Sequence, residues 1–289
     1  MHRRLTFLVG AHKTASSHLQ HSLAGAASEL ARQGTAVIGP KAMRADLLPV
    51  MNMVRDGMAT EVGQGAARAF LQLHAGSARH ALLMDENILG GTDRKMLMRK
   101  TRLYPWAHRR LGRLMALLPG HEVRIGLAIR NPATFLPSCW SESLHHRPFR
   151  SFADYVAGIA PERLRWSDLL ERLRAAAPGA RFIVWRFEDY RALGPALHAH
   201  LLGERMAALV SHADRRLRPG LSDKAAAWLQ DHPAPDRDAL KTARARFPKT
   251  TERDAFAPWA PEAHERMTRA YDRDCARIGD MAGLDLLWP

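Results

Sequence analysis

Residues 5–20 combine a strand, a tight turn and the start of a helix in one continuous segment. Leu5–Val9 is an apolar run of strand length, Gly10 follows it, and a helical pattern begins near Ser17. Lys13 stands in the turn with three hydroxyl residues, Thr14, Ser16 and Ser17. An anion is favoured there, because N–H groups at a helix N-terminus point outward and the helix dipole is positive at that end. The segment therefore predicts an anion-binding loop between the first strand and the first helix.

The spacing of this loop differs from that of the common nucleoside-triphosphate loop. The common loop reads G-x-x-x-x-G-K-[ST], with a second glycine directly before the lysine. Here Gly10 is followed by Ala11 and His12, so no second glycine stands directly before Lys13. The loop is therefore predicted to hold a phosphate-like group other than the triphosphate of ATP.

Short apolar runs of strand length recur along the first two thirds of the chain. They are Leu5–Val9, Ala36–Ile38, Ala81–Met84, Val123–Ile129 and Phe182–Trp185. Helix-compatible segments lie between them: Ser17–Arg32, Glu61–Leu73, Asp93–Leu118 and Glu162–Ala177. This alternation predicts an α/β fold, with a parallel sheet of about five strands flanked by helices. Ligands bind such sheets at the carboxyl ends of the strands.

The strand pattern disappears after about Ala192. Helices are predicted to begin near Ser222, a good N-cap, and at Pro261, a good first helical residue. No internal repeat, linker or low-complexity tail divides the chain. Residues 1–289 are therefore predicted to form a single domain, with an α/β core at 1–190 and a mainly helical extension at 191–289.

The bulk composition excludes several classes of protein. The net charge of +14 suits an anionic partner, but the basic residues are scattered and do not alternate with aromatic residues, so nucleic-acid binding is not predicted. No apolar run approaches the roughly 18 residues of a membrane span, and Leu5–Val9 is too short for a signal peptide. Two cysteines and histidines without ligand-like spacing predict a cytoplasmic protein that binds no metal.

A second candidate anion site follows the fourth predicted strand. Arg130, Asn131 and Pro132 stand at its carboxyl end, and Ser138 lies eight residues after Arg130 on the next helix. Arg130 offers a forked, charge-assisted contact and Ser138 a hydroxyl, so the two side chains can converge on one anion. The alternative is that Arg130 is a surface cation and Ser138 an ordinary helical residue.

These segments resemble the sulfotransferases that use 3′-phosphoadenosine 5′-phosphosulfate (PAPS). Their first loop often reads G-x-x-K-T-G-T-T-x-L-Q in bacterial members, and the residues from Gly10 to Gln20 are similar to it. Their second motif is R-N-P with a serine eight residues after the arginine, as at Arg130. Trp185–Tyr190 and Leu201–Gly203 are similar to two later segments of the family. The matches stand in family order over roughly the first 200 residues.

The resemblance implies a P-loop-type fold and the transfer of a sulfuryl group from PAPS to a hydroxyl or amine, leaving adenosine 3′,5′-bisphosphate without the help of a metal. Lys13 would stabilise the bridging oxygen of the leaving phosphate. The 5′-phosphosulfate would be held by the loop, comprising Gly10, Ala11, His12, Lys13, Thr14, Ala15, Ser16 and Ser17. The 3′-phosphate would be held by Arg130 and Ser138, and Lys249 is assigned to it as well.

The acceptor needs a general base, which is His or Glu in much of the family. Glu86 is the first candidate and Asp85 the second, because both follow the third strand. The alternative is that one carboxylate caps the next helix and the other orders the loop. His12 is a further candidate for contact with the sulfuryl group. Trp106, Trp140 and Glu142 are candidates for the wall of the acceptor pocket.

The loop departs from the family pattern at Ala15, while Ser16 and Ser17 replace threonines but keep the hydroxyls, and two other functions stay open. Ala15 stands where the family has glycine; if that position needs a positive φ, alanine costs about 1 kcal/mol. The alternatives are an ATP-using, kinase-like P-loop protein and a nucleotide-binding protein without catalysis. The acceptor is open among small molecules, carbohydrates, lipids and peptides, and no oligomeric state is predicted.

Overall fold

Six parallel strands form the central sheet of the computed structural model, which describes residues 3–53, 60–211, 220–232, 235–251 and 253–288. The strands are β1 (Arg4–Gly10), β2 (Thr35–Ile38), β3 (His80–Met84), β4 (Glu122–Ile129), β5 (Arg181–Arg186) and β6 (Leu284–Leu287). Their order across the sheet is β2-β3-β1-β4-β5-β6, and every neighbouring pair is parallel. The predicted α/β fold with a parallel sheet flanked by helices is confirmed.

The helices cover both faces of the sheet and most of the C-terminal part. They are α1 (Ser16–Gly25), α2 (Ala27–Arg32), α3 (Pro40–Ala42), α4 (Leu48–Met53), α5 (Thr60–Ala75), α6 (Arg94–Leu97), α7 (Ala107–Leu117), α8 (Pro132–Ser143), α9 (Phe152–Val156), α10 (Trp166–Ala176), α11 (Tyr190–Leu202), α12 (Glu204–Ala207), α13 (Asp223–Asp231), α14 (Arg237–Arg246) and α15 (Pro261–Gly279). A π-helical turn, Met43–Leu47, joins α3 to α4. Within the described ranges, no helix combines the length and apolar character that a membrane crossing requires.

Strand β1 separates two hydrophobic cores. Leu5, Phe7 and Val9 face the larger one, whereas Leu8 faces the core that includes Leu19 of α1. This division follows from the pleat, since successive side chains of a strand point to opposite faces. Because β1 lies between β3 and β4, the segments that follow these three strands meet at one edge of the sheet.

The structure corrects two expectations for the elements. The C-terminal part is not without strands, because Leu284–Leu287 adds a sixth strand beside β5 at the edge of the sheet. The helix expected over Asp93–Leu118 is wrong: α6 ends at Leu97 and a short antiparallel pair, Met98–Arg99 with Arg102–Leu103, precedes α7. Positive φ angles at Lys100 and Tyr104 make the bends that interrupt the helix.

Candidate functional site

Gly10 begins the loop after β1 and is required there by its backbone and by its neighbours. Its φ is 106°, a conformation that favours glycine. A Cβ at this position would lie 3.0 Å from the Cβ of Glu86 and 3.2 Å from the backbone nitrogen of His12. Beyond it, the N–H of Ala11 donates to the carbonyl of Ala128 at 2.9 Å. The start of the loop is thereby fixed between β3 and β4.

Ala15 is the N-cap of α1 and adopts a left-handed conformation, with φ 64° and ψ 17°. Its side chain makes no capping hydrogen bond, and the first turn of α1 contains no acidic residue. The N–H groups of Ser16 and Ser17 have no partner inside the helix, because the helix begins at Ser16. This end of α1 therefore offers N–H donors and a positive dipole to an anion.

His12 is almost completely buried, with 6% of its surface exposed. Its Nδ1 lies 2.9 Å from the hydroxyl oxygen of Tyr104, and its backbone N–H donates to the same oxygen at 3.1 Å. Burial lowers the pKa of His12, while Glu86, Asp85 and Glu142 act in the opposite direction. The imidazole is therefore neutral at pH 7, and Tyr104 fixes its orientation.

Lys13 is held at both ends. Its backbone is left-handed, with φ 59°, and its carbonyl accepts a hydrogen bond from Nη1 of Arg130 at 2.6 Å. Its ammonium forms a 3.0 Å ion pair with Oε2 of Glu142 on α8. Both side chains are largely shielded, with 13% of Lys13 and 16% of Glu142 exposed.

Arg130 connects the two predicted anion sites. In addition to its bond with the Lys13 carbonyl, its Nε donates to Oγ1 of Thr134 at 3.0 Å. Its guanidinium lies over the ring of Phe187, 4.2 Å from the ring centroid. These contacts fix the guanidinium plane beside the loop, and Ser138 lies further along α8 in the wall of the same cavity.

A cavity of about 1130 Å³ opens at this edge of the sheet. It brings together most of the predicted site residues, namely His12, Lys13, Ala15, Ser16, Ser17, Glu86, Arg130, Ser138 and Lys249. Gly10, Ala11 and Thr14 lie behind its wall instead. Thr14 is buried, and its hydroxyl donates to the Ala11 carbonyl at 2.6 Å, so its side chain stabilises the loop.

The two carboxylates after β3 have different surroundings. Asp85 is fully buried, accepts two hydrogen bonds from Arg44 at 2.7 and 3.1 Å, and caps the short helical turn that follows by accepting from the N–H of Asn87. Burial raises the pKa of the Asp85 carboxyl, against the lowering effect of Arg44. Glu86 lines the cavity and accepts hydrogen bonds from Gln20 at 3.2 Å and Arg44 at 3.4 Å.

The lining of the cavity includes residues that the sequence analysis did not assign to the site. Two residues that it proposed for the acceptor pocket are not part of the lining. Arg44 and Phe187 line the cavity, and Tyr104 supports the loop from behind. Glu142 lines the cavity as predicted, whereas Trp140 is fully buried in the core and Trp106 is absent from the lining. The sequence signal that Glu142 belongs to the cavity was its position four residues after Ser138, because this spacing places both side chains on one face of the helix.

Comparisons with known proteins identify no family. No family model and no curated protein matches the chain. A solved structure from the PezAT chromosomal toxin–antitoxin system of Streptococcus pneumoniae is similar at 11% sequence identity, over 97% of this chain and 88% of that chain, with a TM-score of 0.26. A similarity at this level carries no argument about fold or function.

Proposed function

We propose that the protein is a PAPS-dependent sulfotransferase. It would move the sulfuryl group to a hydroxyl or amine of a small-molecule, carbohydrate or lipid acceptor and release adenosine 3′,5′-bisphosphate. The observation that carries the proposal is the bond between Arg130 and the Lys13 carbonyl, which makes two anion-binding elements parts of one cavity wall. A nucleotide with phosphates at both the 5′ and 3′ positions needs two such elements side by side.

The loop would hold the 5′-phosphosulfate. Ser16 and Ser17 offer N–H groups and hydroxyls at the start of α1, and Lys13 contributes a full positive charge. Sulfuryl transfer places negative charge on the bridging oxygen of the leaving phosphate. Helix N–H groups that are already in position would stabilise this charge without reorganisation, and the ammonium of Lys13 would add its full charge once it leaves Glu142.

Arg130, Ser138 and Lys249 would hold the 3′-phosphate, since all three line the cavity. The guanidinium of Arg130 is already oriented by Thr134 and Phe187. An oriented guanidinium loses less side-chain entropy when it binds a phosphate than a mobile one does. Loss of this side chain should therefore affect nucleotides with a 3′-phosphate more than those without one.

The surroundings of Asp85 argue against an ATP-using enzyme. Such a P-loop protein needs a carboxylate that is available to hold Mg²⁺. Asp85 is the carboxylate in the corresponding position after β3, but it is buried, and Arg44 contacts both of its oxygens. Its role is therefore structural.

Thermal-shift titration with adenosine 3′,5′-bisphosphate, ATP and AMP tests the proposal. A ligand at about 100 times its Kd stabilises the folded state by about 2.7 kcal/mol, and we expect this effect chiefly from the bisphosphate. A larger response to ATP, or an equal response to AMP, would refute the proposal. Arg130→Ala should remove the preference for the 3′-phosphate. The matched control, Arg277→Ala, changes an exposed ion pair on α15 and should leave the preference intact.

A catalytic protein and a mere nucleotide binder are distinguished by Lys13→Ala. In an enzyme this change should reduce turnover of PAPS far more than it reduces bisphosphate affinity, because the charge on the bridging oxygen develops in the transition state. Equal losses of turnover and of affinity would favour a binding protein.

We also propose a cytoplasmic location, since both cysteines, Cys139 and Cys275, are free thiols.

A further inference from the structure

Lys13 and Glu142 form an ion pair in the place where the proposed donor must bind. The two side chains are in contact at 3.0 Å, largely shielded from solvent, and both line the cavity. The proposed reaction requires the ammonium of Lys13 at the bridging oxygen of the donor. Lys13 therefore has to exchange its carboxylate partner for the phosphosulfate when the nucleotide binds.

Glu86 is held differently from Glu142. Its Oε2 accepts from Gln20 at 3.2 Å, and its Oε1 accepts from Arg44 at 3.4 Å. Neither donor belongs to the loop residues that would hold the nucleotide, so the proposed donor does not have to displace either contact. Glu86 also lies close to Gly10, since a Cβ on Gly10 would be 3.0 Å from the Cβ of Glu86. Its surroundings suit a carboxylate that orders the loop.

We propose that Glu142 is the general base for the acceptor and that donor binding releases it from Lys13. This inference rests on the proposed sulfotransferase function. The acceptor oxygen forms a bond to sulfur while the bond from sulfur to the bridging phosphate oxygen breaks. The electron pair of the broken bond stays on the bisphosphate, whose oxygen is stabilised by Lys13, and the acceptor proton moves to the carboxylate of Glu142.

The exchange makes Glu142 basic when a base is needed. A carboxylate that loses an adjacent positive charge holds a proton more readily. Among the described residues, the charged and titratable groups that interact with Glu142 include His12, Lys13, Cys139, His145 and Arg244. Arg244 donates to the hydroxyl of Ser141 at 3.4 Å and is not part of the exchange. The site then has its base ready only when the donor is bound.

The first experiment measures affinity for adenosine 3′,5′-bisphosphate by calorimetry. Glu142→Gln keeps an oxygen near Lys13 but removes the charge that competes with the nucleotide, so we expect binding to be about 5- to 30-fold tighter. Glu171→Gln is the matched control, because Glu171 forms an exposed ion pair with Arg277 outside the cavity; its affinity should stay within about twofold. If Glu142→Gln binds the bisphosphate with unchanged affinity, the proposed exchange of partners at Lys13 is overturned.

The second experiment uses water as the acceptor and follows release of labelled sulfate from PAPS with enzyme in excess. We expect Glu142→Gln to slow hydrolysis by about 100- to 10,000-fold at pH 7 and to abolish the loss of rate at low pH. Glu142→Asp should retain that pH dependence and part of the rate. A normal rate in Glu142→Gln together with loss of activity in Glu86→Gln would assign the base to Glu86 and overturn the inference.

The outcomes separate this inference from the proposed function. Wild-type protein that prefers ATP or AMP to the bisphosphate refutes the proposed function itself. Wild-type protein that prefers the bisphosphate but leaves PAPS intact is a nucleotide binder, which refutes the proposed function and the base role together. Wild-type protein that hydrolyses PAPS, with an unchanged rate in Glu142→Gln, overturns the base role alone. Weaker bisphosphate binding in Glu142→Gln would show that Glu142 is structural, and it would also overturn the inference.

Discussion

Replacing Ala15 with glycine is expected to stabilise the folded state. Ala15 has φ 64° and ψ 17°, a left-handed conformation that costs a residue with a Cβ roughly 1–2 kcal/mol. Glycine removes this cost but adds about 0.5–1 kcal/mol of conformational entropy to the unfolded chain. Loss of the methyl contact with the core beside α1 offsets a little more. The balance is a gain of about 0.5 kcal/mol in the free energy of unfolding.

Urea denaturation followed by tryptophan fluorescence measures this change, provided that the slope against denaturant is the same in both proteins. Ala69→Gly is the control, because Ala69 is exposed within α5 and has a helical backbone. There glycine should destabilise the protein by about 1 kcal/mol. A higher free energy of unfolding in Ala15→Gly together with a lower one in Ala69→Gly supports the argument from backbone strain. A loss of stability in Ala15→Gly as large as that in Ala69→Gly would refute it.

Three further changes test other parts of the structure. Asp274→Ala should lower the free energy of unfolding by about 2–4 kcal/mol in urea denaturation, because the buried carboxylate accepts three hydrogen bonds at the start of α10, two of them from Ser167. Gly10→Ala should lower the thermal midpoint and weaken bisphosphate binding, since its Cβ would meet that of Glu86 at 3.0 Å and its φ is 106°. Burial lowers the pKa of His80 to about 4, so the unfolded chain binds the extra proton first as the pH falls. Stability should therefore decrease from about pH 6.5 to about pH 4, and a pH series of denaturation midpoints should show a flatter decrease in His80→Gln.

The strands that could be predicted are those buried on both faces. Leu5–Val9, apart from the buried Thr6, and Phe182–Trp185 are apolar because helices cover both sides of the sheet. Leu284–Leu287 lacks this signal, since it is an edge strand of four half-buried residues that includes Asp285. Its strand conformation depends on pairing with β5, far away in the sequence. Pairing with a strand so distant in the sequence cannot be predicted from the local pattern of residues.

The segment Met98–Leu103 was predicted to be helical but forms a short antiparallel pair of strands. Its residues are compatible with a helix, and the sequence therefore predicted one helix through it. In the structure Leu97 and Leu103 are fully buried on either side of the short hairpin, and the N–H of Tyr104 donates to the carbonyl of Leu97. Tertiary packing outweighs a weak helical preference here. The consequence reaches the site, because this bend places the Tyr104 hydroxyl against His12.

The candidate site divides in the same way between contiguous and distant residues. The loop after β1 and the pair Arg130 and Ser138 could be predicted, because each lies within a few residues of its own strand and helix. The partners that determine their chemistry could not. Tyr104 lies 92 residues from His12, and Glu142 lies 129 residues from Lys13. Only the folded sheet brings such residues into contact.

The contacts of Lys13 differ in what a ligand can do to them. Its left-handed backbone and the bond from Arg130 to its carbonyl fix the peptide, and an anion bound at the start of α1 leaves both in place. The ion pair with Glu142 is made by the side chain alone, and an anion can replace it. The loop therefore has its conformation without a ligand, and in the proposed binding step Lys13 only exchanges one ionic partner for another. An exchange of this kind needs no rearrangement of the sheet, so it fits a site whose backbone is held by β3 and β4 on either side of β1.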